Sequence, residues 1–339
     1  MAHANSAIQV SELDFDNIRS SLKTFMSGQS KFQDYDFDGS NMSLLLDLLA
    51  YNTHYNSYYT NMVANEMFLR SGQLRNNVVD RAQELGYVPT SAKGAAVVVE
   101  IQVIPGDSPA TITIPKDTKF NTAVDDKTLT FTNQFGVVVS PNTEGDYIAS
   151  LVTISEGFPV AHQWTASTTN PVEYILPNDN VDTSRITVRV KDSASSSVIN
   201  TYTRANDITE VTPTSLVYFL EENSDSQYHI YFGDGVLGKS LSDGNVVIAD
   251  YHVCNTTDGN GATAFTAASS IDGYSDVTLT VSTTGDVASG GVEQETIESI
   301  KFNAPFHYEA QNRAVTKNDY ERIILKENTD FNAVSVWGG

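Results

Sequence analysis

Segment 233–240 has the residue types and the spacing of a phosphate-binding loop. It reads GDGVLGKS and fits the pattern G-x-x-x-x-G-K-[ST], in which backbone N–H groups surround a phosphate and Lys239 would neutralise its charge. That chemistry needs a strand before the loop and a helix after it. Here β-rich runs lie on both sides, at 228–232 and 246–251. We therefore expect two strands joined as a hairpin by turns at Gly233, Gly235 and Gly238, and no nucleotide site.

A second motif, DYDFDGS at 34–40, resembles the start of a calcium-binding loop. Asp34, Asp36 and Asp38 have the spacing of its first carboxylate ligands, but the twelfth position, normally a bidentate Glu, is Leu45. We instead expect Asp38 or Ser40 to cap the helix that follows, because a side-chain oxygen there can accept its free N–H groups. A weakly held divalent ion on the three carboxylates is the alternative.

The remaining nucleophiles and potential metal ligands form no recognisable catalytic pattern. Neither H-E-x-x-H nor G-x-S-x-G occurs in the sequence. The single cysteine, Cys254, excludes a disulfide within the chain and a zinc cluster of thiolates, and we expect it to be a small buried residue. The histidines considered as ligands are scattered: His54, His162, His229, His252 and His307. The sequence therefore predicts no enzyme, no catalytic residue, no cofactor and no metal site.

The secondary structure that would position these residues is predicted to change along the chain. Residues 1–92 are predicted to form a helical domain. Helices are predicted at 14–26, 40–70 and 73–85, the last closed by Gly86. The long helix has tyrosines at i, i+4, i+7 and i+8, beside an apolar stripe of leucines. These side chains, Tyr51, Tyr55, Tyr58 and Tyr59, would either pack against the chain's own elements or form an interface with another subunit.

Residues 93–285 switch to a period of two and predict a β-rich antiparallel domain of one or two lobes. Short strands are expected near 97–103, 110–114, 129–131, 136–139, 148–154, 186–190, 216–220, 228–232, 246–253 and 277–281. Residues 286–339 predict a small α/β domain that continues beyond the end of the sequence. The expected class is α+β.

The net charge and the hydropathy of the sequence limit the kinds of partner that we expect this chain to bind. The net charge of −22 would repel a phosphate backbone, so we expect no direct binding to nucleic acid. Residues 93–285 carry 9 Lys and Arg against 23 Asp and Glu, which indicates either a well-solvated surface or contact with basic partners. No apolar run reaches the roughly 20 residues of a membrane span, and the N-terminus lacks the features of a secretory signal.

The run 313–337, RAVTKNDYERIILKENTDFNAVSVW, predicts a loop, a helix opening near Asp319 and Tyr320, and a strand at 333–337. Together with LGYVP at 85–89, FGDG at 232–235 and GGVE at 290–293, which precede it in the family's order along the chain, it resembles the baseplate J-like family. Members of that family are wedge subunits of contractile phage tails, and the similarity is greatest to those of T-even-like phages. The resemblance covers nearly the whole chain.

That resemblance implies a structural protein of the virion tail baseplate, made in the host cytoplasm. It implies contacts with other copies of itself and with neighbouring baseplate wedge proteins, as a homodimer or hetero-oligomer within a six-fold ring, and a part in releasing sheath contraction. Predicted interface residues are the four tyrosines of the long helix with Arg313, Asp319, Tyr320 and Trp337. The alternatives are a carbohydrate-binding tail or adhesin module and a P-loop nucleotide-binding protein.

Overall fold

The computed structural model describes residues 14–32, 36–37, 39–170, 172–205, 211–223, 225–282, 286–310, 313–327 and 334–337. These residues form an α+β protein with two compact units. One unit contains the described part of 1–87 together with 297–309, and the other contains the described part of 88–296 and of 310–339. Among the described helices, none is both long and apolar enough to cross a bilayer.

The first unit is helical, as predicted. It contains α1 (Phe15–Ser27), α2 (Met42–Glu66), α3 (Arg75–Glu84) and α4 (Ile297–Ala310). Asp14 caps α1, because its side chain accepts the N–H of Asn17 at 2.9 Å. After α3 the chain turns at Gly86, whose φ of +75° suits a residue without a Cβ. The predicted cap of α2 by Ser40 is wrong, since α2 begins after Asn41 and has no side-chain cap. Asp38 lies outside the described residues.

The core of the helical unit joins segments far apart in sequence. Val78, Val79 and Ala82 of α3 pack with Ile300 and Ala304 of α4, and all five are buried. This packing groups α4 with the N-terminal helices, which differs from the expected division at 92 and 285. The three-domain division therefore stays a prediction.

The second unit contains most of the strands and the short helix α5 (Lys317–Glu327). Its strands are β1 (Ala96–Val103), β2 (Ile112–Ile114), β3 (Lys119–Val124), β4 (Lys127–Asn133), β5 (Val137–Val139), β6 (Tyr147–Glu156), β7 (Phe158–Thr165), β8 (Tyr174–Ile175), β9 (Val181–Lys191), β10 (Ile199–Arg204), β11 (Val217–Glu222), β12 (Tyr228–Phe232), β13 (Val246–Val253), β14 (Thr266–Ala267) and β15 (Val277–Val281).

Two large sheets and a separate two-stranded sheet, β2-β5, divide these strands between two cores. The first sheet has the order β14-β3-β4-β6-β1-β15 and the second the order β7-β13-β9-β10-β11-β12-β8. Pairing is antiparallel except between β10 and β11. Alternating apolar side chains, such as Val99 and Ile101 in one sheet and Val188 and Val190 in the other, fill the two cores. The two-lobed β region therefore agrees with the predicted antiparallel domain.

The chain passes from one sheet to the other at Gly157. Glu156 ends β6 in the first sheet and Phe158 begins β7 in the second. Gly157 has a φ of +128°, and a Cβ there would lie 3.0 Å from the carbonyl oxygen of Val253. Only glycine permits this abrupt transition without strain.

Several predictions about the strands are wrong. The strands β3, β7, β8, β10 and β14 were not expected, and two of them, β8 and β14, have only two residues, too few for a period to be recognised. The expected strand at 333–337 is wrong, since the described residues 334–337 form no strand and residue 333 lies outside the described part. The expected hairpin between β12 and β13 is also wrong, because three strands separate them in the sheet.

Candidate assembly surface

Helix α2 exposes an apolar face along most of its length. Only Leu46, Ala50 and Asn61 are buried. The exposed members of the face are Leu44, Leu45, Leu48, Leu49, Tyr51, Tyr55, Tyr58, Tyr59, Met62 and Val63, with Leu44 69% and Leu48 64% exposed. From the first to the last of them the helix rises about 28 Å. Contiguous apolar surface of this kind marks an interaction site more often than a solvated face.

The four predicted tyrosines lie together in the middle of this face. The hydroxyls of Tyr51 and Tyr55 are 2.9 Å apart, and their rings meet edge to face with centroids 4.7 Å apart. Tyr59 lies next to both Tyr55 and Tyr58, at centroid distances of 6.4 and 5.9 Å. The hydrogen bond between the Tyr51 and Tyr55 hydroxyls raises the pKa of Tyr55. The cluster therefore combines large apolar rings with hydroxyls that tolerate a wet rim.

The face stays open because the chain's own helix covers the opposite side of α2. Helix α1 is held there by an ion pair between Arg19 Nε and Asp47 Oδ1 at 2.5 Å, with Ile18 buried. The tyrosines were expected either to be buried within the chain or to form an interface. In the described part of the structure they are exposed, not buried. Their role in an interface stays a prediction.

The exposed apolar surface is larger than the sequence predicted. Phe25 at the end of α1 and Met67 and Phe68 after α2 are each more than half exposed. The apolar spacing of α2 identified a stripe, but whether a stripe is buried depends on elements distant in sequence. No pattern in the sequence indicated that Phe25 would be exposed.

The predicted interface residues of the C-terminal segment have different surroundings. Asp319 caps α5 within the chain, since its Oδ2 accepts the N–H groups of Val315 at 3.2 Å and Thr316 at 2.7 Å. Arg313, Tyr320 and Trp337 are exposed, Trp337 by 78%. Their part in assembly is also a prediction.

The loop that resembles a phosphate site folds onto itself, and most of its backbone N–H groups have acceptors within the protein. Asp234 Oδ1 accepts the N–H groups of Val236 at 2.8 Å and Leu237 at 3.0 Å, and these bonds lower the pKa of Asp234. Three further N–H groups donate to backbone oxygens: Gly235 to Gly238 at 3.0 Å, Gly238 to Thr212 at 3.2 Å, and Lys239 to Ser215 at 2.9 Å.

Five consecutive amides, 235–239, thus have acceptors from the protein itself. Residues 239–245 form no helix, and β13 follows them. Gly235 and Gly238 have φ of +91° and +90°, as a tight turn requires. A phosphate would find neither a helix N-terminus nor unbonded N–H groups here.

The loop that resembles a calcium site is described only in part. Asp36 Oδ1 accepts the N–H of Gly39 at 3.1 Å, which is a turn contact. Asp34 and Asp38 lie outside the described residues. Within the part of the chain that is described, no group of three His, Cys, Asp or Glu side chains converges as metal ligands would.

The N-terminal helices are similar to a domain of known proteins. Residues 14–87 match the family model described as "Baseplate wedge protein gp6-like, helical domain". The chain is also 29% identical, over 332 residues, to baseplate wedge protein gp6 of Enterobacteria phage T4. The chain is similar to a baseplate wedge protein over most of its length. The resemblance predicted from the sequence is confirmed, and the exposed face of α2 lies inside the matched helical domain.

The chain spans about half the length of the curated protein that it matches, since the alignment covers 91% of the chain and 49% of the phage T4 protein. Among solved structures, the six-fold symmetrised baseplate of the anti-feeding prophage matches with 10% identity, covering 95% of this chain and 66% of that one, with a TM-score of 0.33. No structural conclusion follows from a TM-score at that level.

Proposed function

We propose that this chain is part of a structural subunit of a phage contractile-tail baseplate wedge and carries no enzymatic activity of its own. It resides in the virion tail, where it contacts further copies of itself and neighbouring wedge subunits. The observation that carries the proposal is the open apolar face of α2, within the segment that matches the helical domain of wedge proteins.

The composition of that face fits a permanent protein interface. It contains leucines, tyrosines, Met62 and Val63, and the one Asp between Leu44 and Val63, Asp47, is paired with Arg19. Cores of stable interfaces are depleted of charge and enriched in aromatic residues and Met. Because the rest of the chain carries a net charge of −22, an uncharged face is where acidic subunits can meet without repulsion.

The same face also supports a conformational role. A baseplate must hold its subunits in one packing before attachment and in another afterwards, with similar free energies. A long helix that contacts partners through many small apolar contacts can exchange one packing for another. We propose that repacking of this face on host attachment helps to release sheath contraction.

The direct test is to replace apolar side chains of the face by charged ones. A chain with Leu48→Lys and Tyr55→Lys should fold with an unchanged circular dichroism spectrum, because both side chains are exposed. Its association with the other wedge subunits of the same phage, measured by analytical ultracentrifugation, should weaken by at least about tenfold.

The matched control is Val198→Lys, which alters an equally exposed apolar residue of the β unit at 58% exposure. It should assemble as the unaltered chain does. Equal assembly by the α2 variant and the control would contradict the proposal, as would electron microscopy of tails that places this chain outside the baseplate.

A further inference from the structure

Strand β7 is a long, open edge of the second sheet. All eight of its residues pair with β13 in one continuous register, from Phe158 opposite Val253 to Thr165 opposite Val246. Within the described part of the chain, no strand pairs with its other side. The opposite edge of the sheet, β8, has only two residues. Unpaired N–H and C=O groups on a long edge are a template for another strand.

The hydrogen bonds beyond the end of β7 show which of its groups face outward. The N–H of Ala166 donates to Asn245 O at 2.7 Å, and its C=O accepts the N–H of Gly244 at 2.9 Å, so Ala166 faces the β13 side. Because the direction alternates along an antiparallel pair, Ala161, Gln163 and Thr165 face away from β13. Pro159 belongs to the same outward set, where its missing N–H costs no bond within the sheet.

This edge lacks the charges that usually keep edge strands apart. Sequence FPVAHQWT contains no Lys, Arg, Asp or Glu, in a chain with a net charge of −22. The one carboxylate on the adjoining strand, Asp250 opposite Ala161, is bonded to Arg189 through Nη2 at 2.5 Å and Nε at 2.9 Å. Two copies of the edge therefore meet without like charges opposite each other.

We propose that β7 pairs antiparallel with β7 of a second copy of this chain, about a two-fold axis at Gln163. In this register Gln163 faces its own copy and Ala161 faces Thr165. All three outward N–H groups find an outward carbonyl of β7 in this register, and Pro159, which has no N–H to donate, lies beyond the paired segment. The pairing involves a different surface from α2 and does not depend on the proposed function.

The side chains next to the axis suit this register. His162 and Trp164 lie on one face of β7 with ring centroids 4.6 Å apart. In the pair, Trp164 stands opposite His162 of the second copy, at a position without backbone hydrogen bonds, where side chains approach most closely. Cross-strand aromatic pairs of this kind stabilise antiparallel strands.

Cysteine crosslinking tests the register directly. In Gln163→Cys the two Cα atoms would be about 5.5 Å apart, which is within the range of a disulfide. Mild oxidation of the purified chain should give a covalent dimer on a non-reducing gel. The native thiol, Cys254, is buried and does not compete.

The matched control is Ala161→Cys, whose two copies would be four residues out of register, about 14 Å apart, and should not crosslink. A mixture of Ala161→Cys and Thr165→Cys chains should crosslink, because these positions face each other. Failure of position 163 to crosslink, or crosslinking at 161 and 163 to the same extent, overturns the proposal.

A charge exchange gives an independent readout. Gln163→Glu and Gln163→Lys each place like charges at the axis, so each alone should self-associate at least about tenfold more weakly than the unaltered chain by ultracentrifugation. The equimolar mixture should recover the dimer. If the mixture behaves like the separate variants, β7 does not pair with a second copy in this register, and the proposal is overturned.

Discussion

The buried carboxylate of Glu156 accepts two hydrogen bonds from Asn255, one from the backbone N–H at 2.9 Å and one from Nδ2 at 2.7 Å. Glu156 ends β6 of the first sheet, and Asn255 lies just beyond β13 of the second. Only 1% of Glu156 is exposed. A single acidic side chain thus ties the two sheets together where the chain crosses between them.

Glu156 should make the stability of the chain depend on pH. Burial raises the pKa of its carboxyl, and nearby Asp258 adds to this, whereas the bonds from Asn255 and the charge of Arg185 act in the opposite direction. A raised folded-state pKa stabilises the fold fully below the unfolded pKa, and that stabilisation is lost as the pH rises through the folded value.

We therefore expect the unaltered chain to lose stability relative to Glu156→Gln as the pH rises from about 4 to about 8, by about 1.4 kcal/mol for each unit by which the pKa is raised. Urea unfolding of both chains across that range measures the difference. Glu144→Gln, at an exposed turn, is the control and should not change the dependence. A constant difference between the Glu156→Gln chain and the unaltered chain would contradict the prediction.

Gly233 should tolerate no side chain. A Cβ there would collide with the backbone of Leu237 and Gly238, which cannot move as a side chain can. We expect Gly233→Ala to lower the free energy of unfolding by about 1–3 kcal/mol. Gly106→Ala is the control, since a Cβ at Gly106 meets nothing within 4 Å, and it should change stability by less than about 0.5 kcal/mol. Chemical denaturation measures both, and equal effects would refute the close approach.

Lys239 should have no part in nucleotide binding. The amides of 235–239 are already bonded within the protein, so a triphosphate would have to displace those bonds. Calorimetric titration with Mg-ATP should give no binding heat for the unaltered chain or for Lys239→Ala. Measurable binding that disappears in the variant would restore the P-loop interpretation.

Cys254 should be unreactive in the folded chain. Burial raises the pKa of its thiol to about 11, and Sγ lies 3.4 Å from Asn180 O. Since the thiolate is the nucleophile, iodoacetamide at about pH 8 should label the native chain far more slowly than the chain unfolded in urea. Mass spectrometry follows the labelling. Equal rates in both states would show that the thiol is accessible.

The sequence by itself predicted the features that depend on near neighbours. The predicted start of the first helix at residue 14 and the closing turn at Gly86 agree with the structure, and alternation identified strands such as β1 and β13. These signals are local, because capping, turn geometry and side-chain periodicity involve residues a few positions apart. The order of the motifs also sufficed for the resemblance to wedge proteins.

Only the tertiary structure decided which surfaces are covered and which strands are neighbours. The spacing of Tyr51 and Tyr55 is the same whether their face is buried or open, and nothing near Gln163 shows that β7 is an edge. Likewise, Glu156 and Asn255 are 99 positions apart. Strand order and burial result from packing between distant segments, and the free energy of those contacts is not encoded in any short stretch of chain.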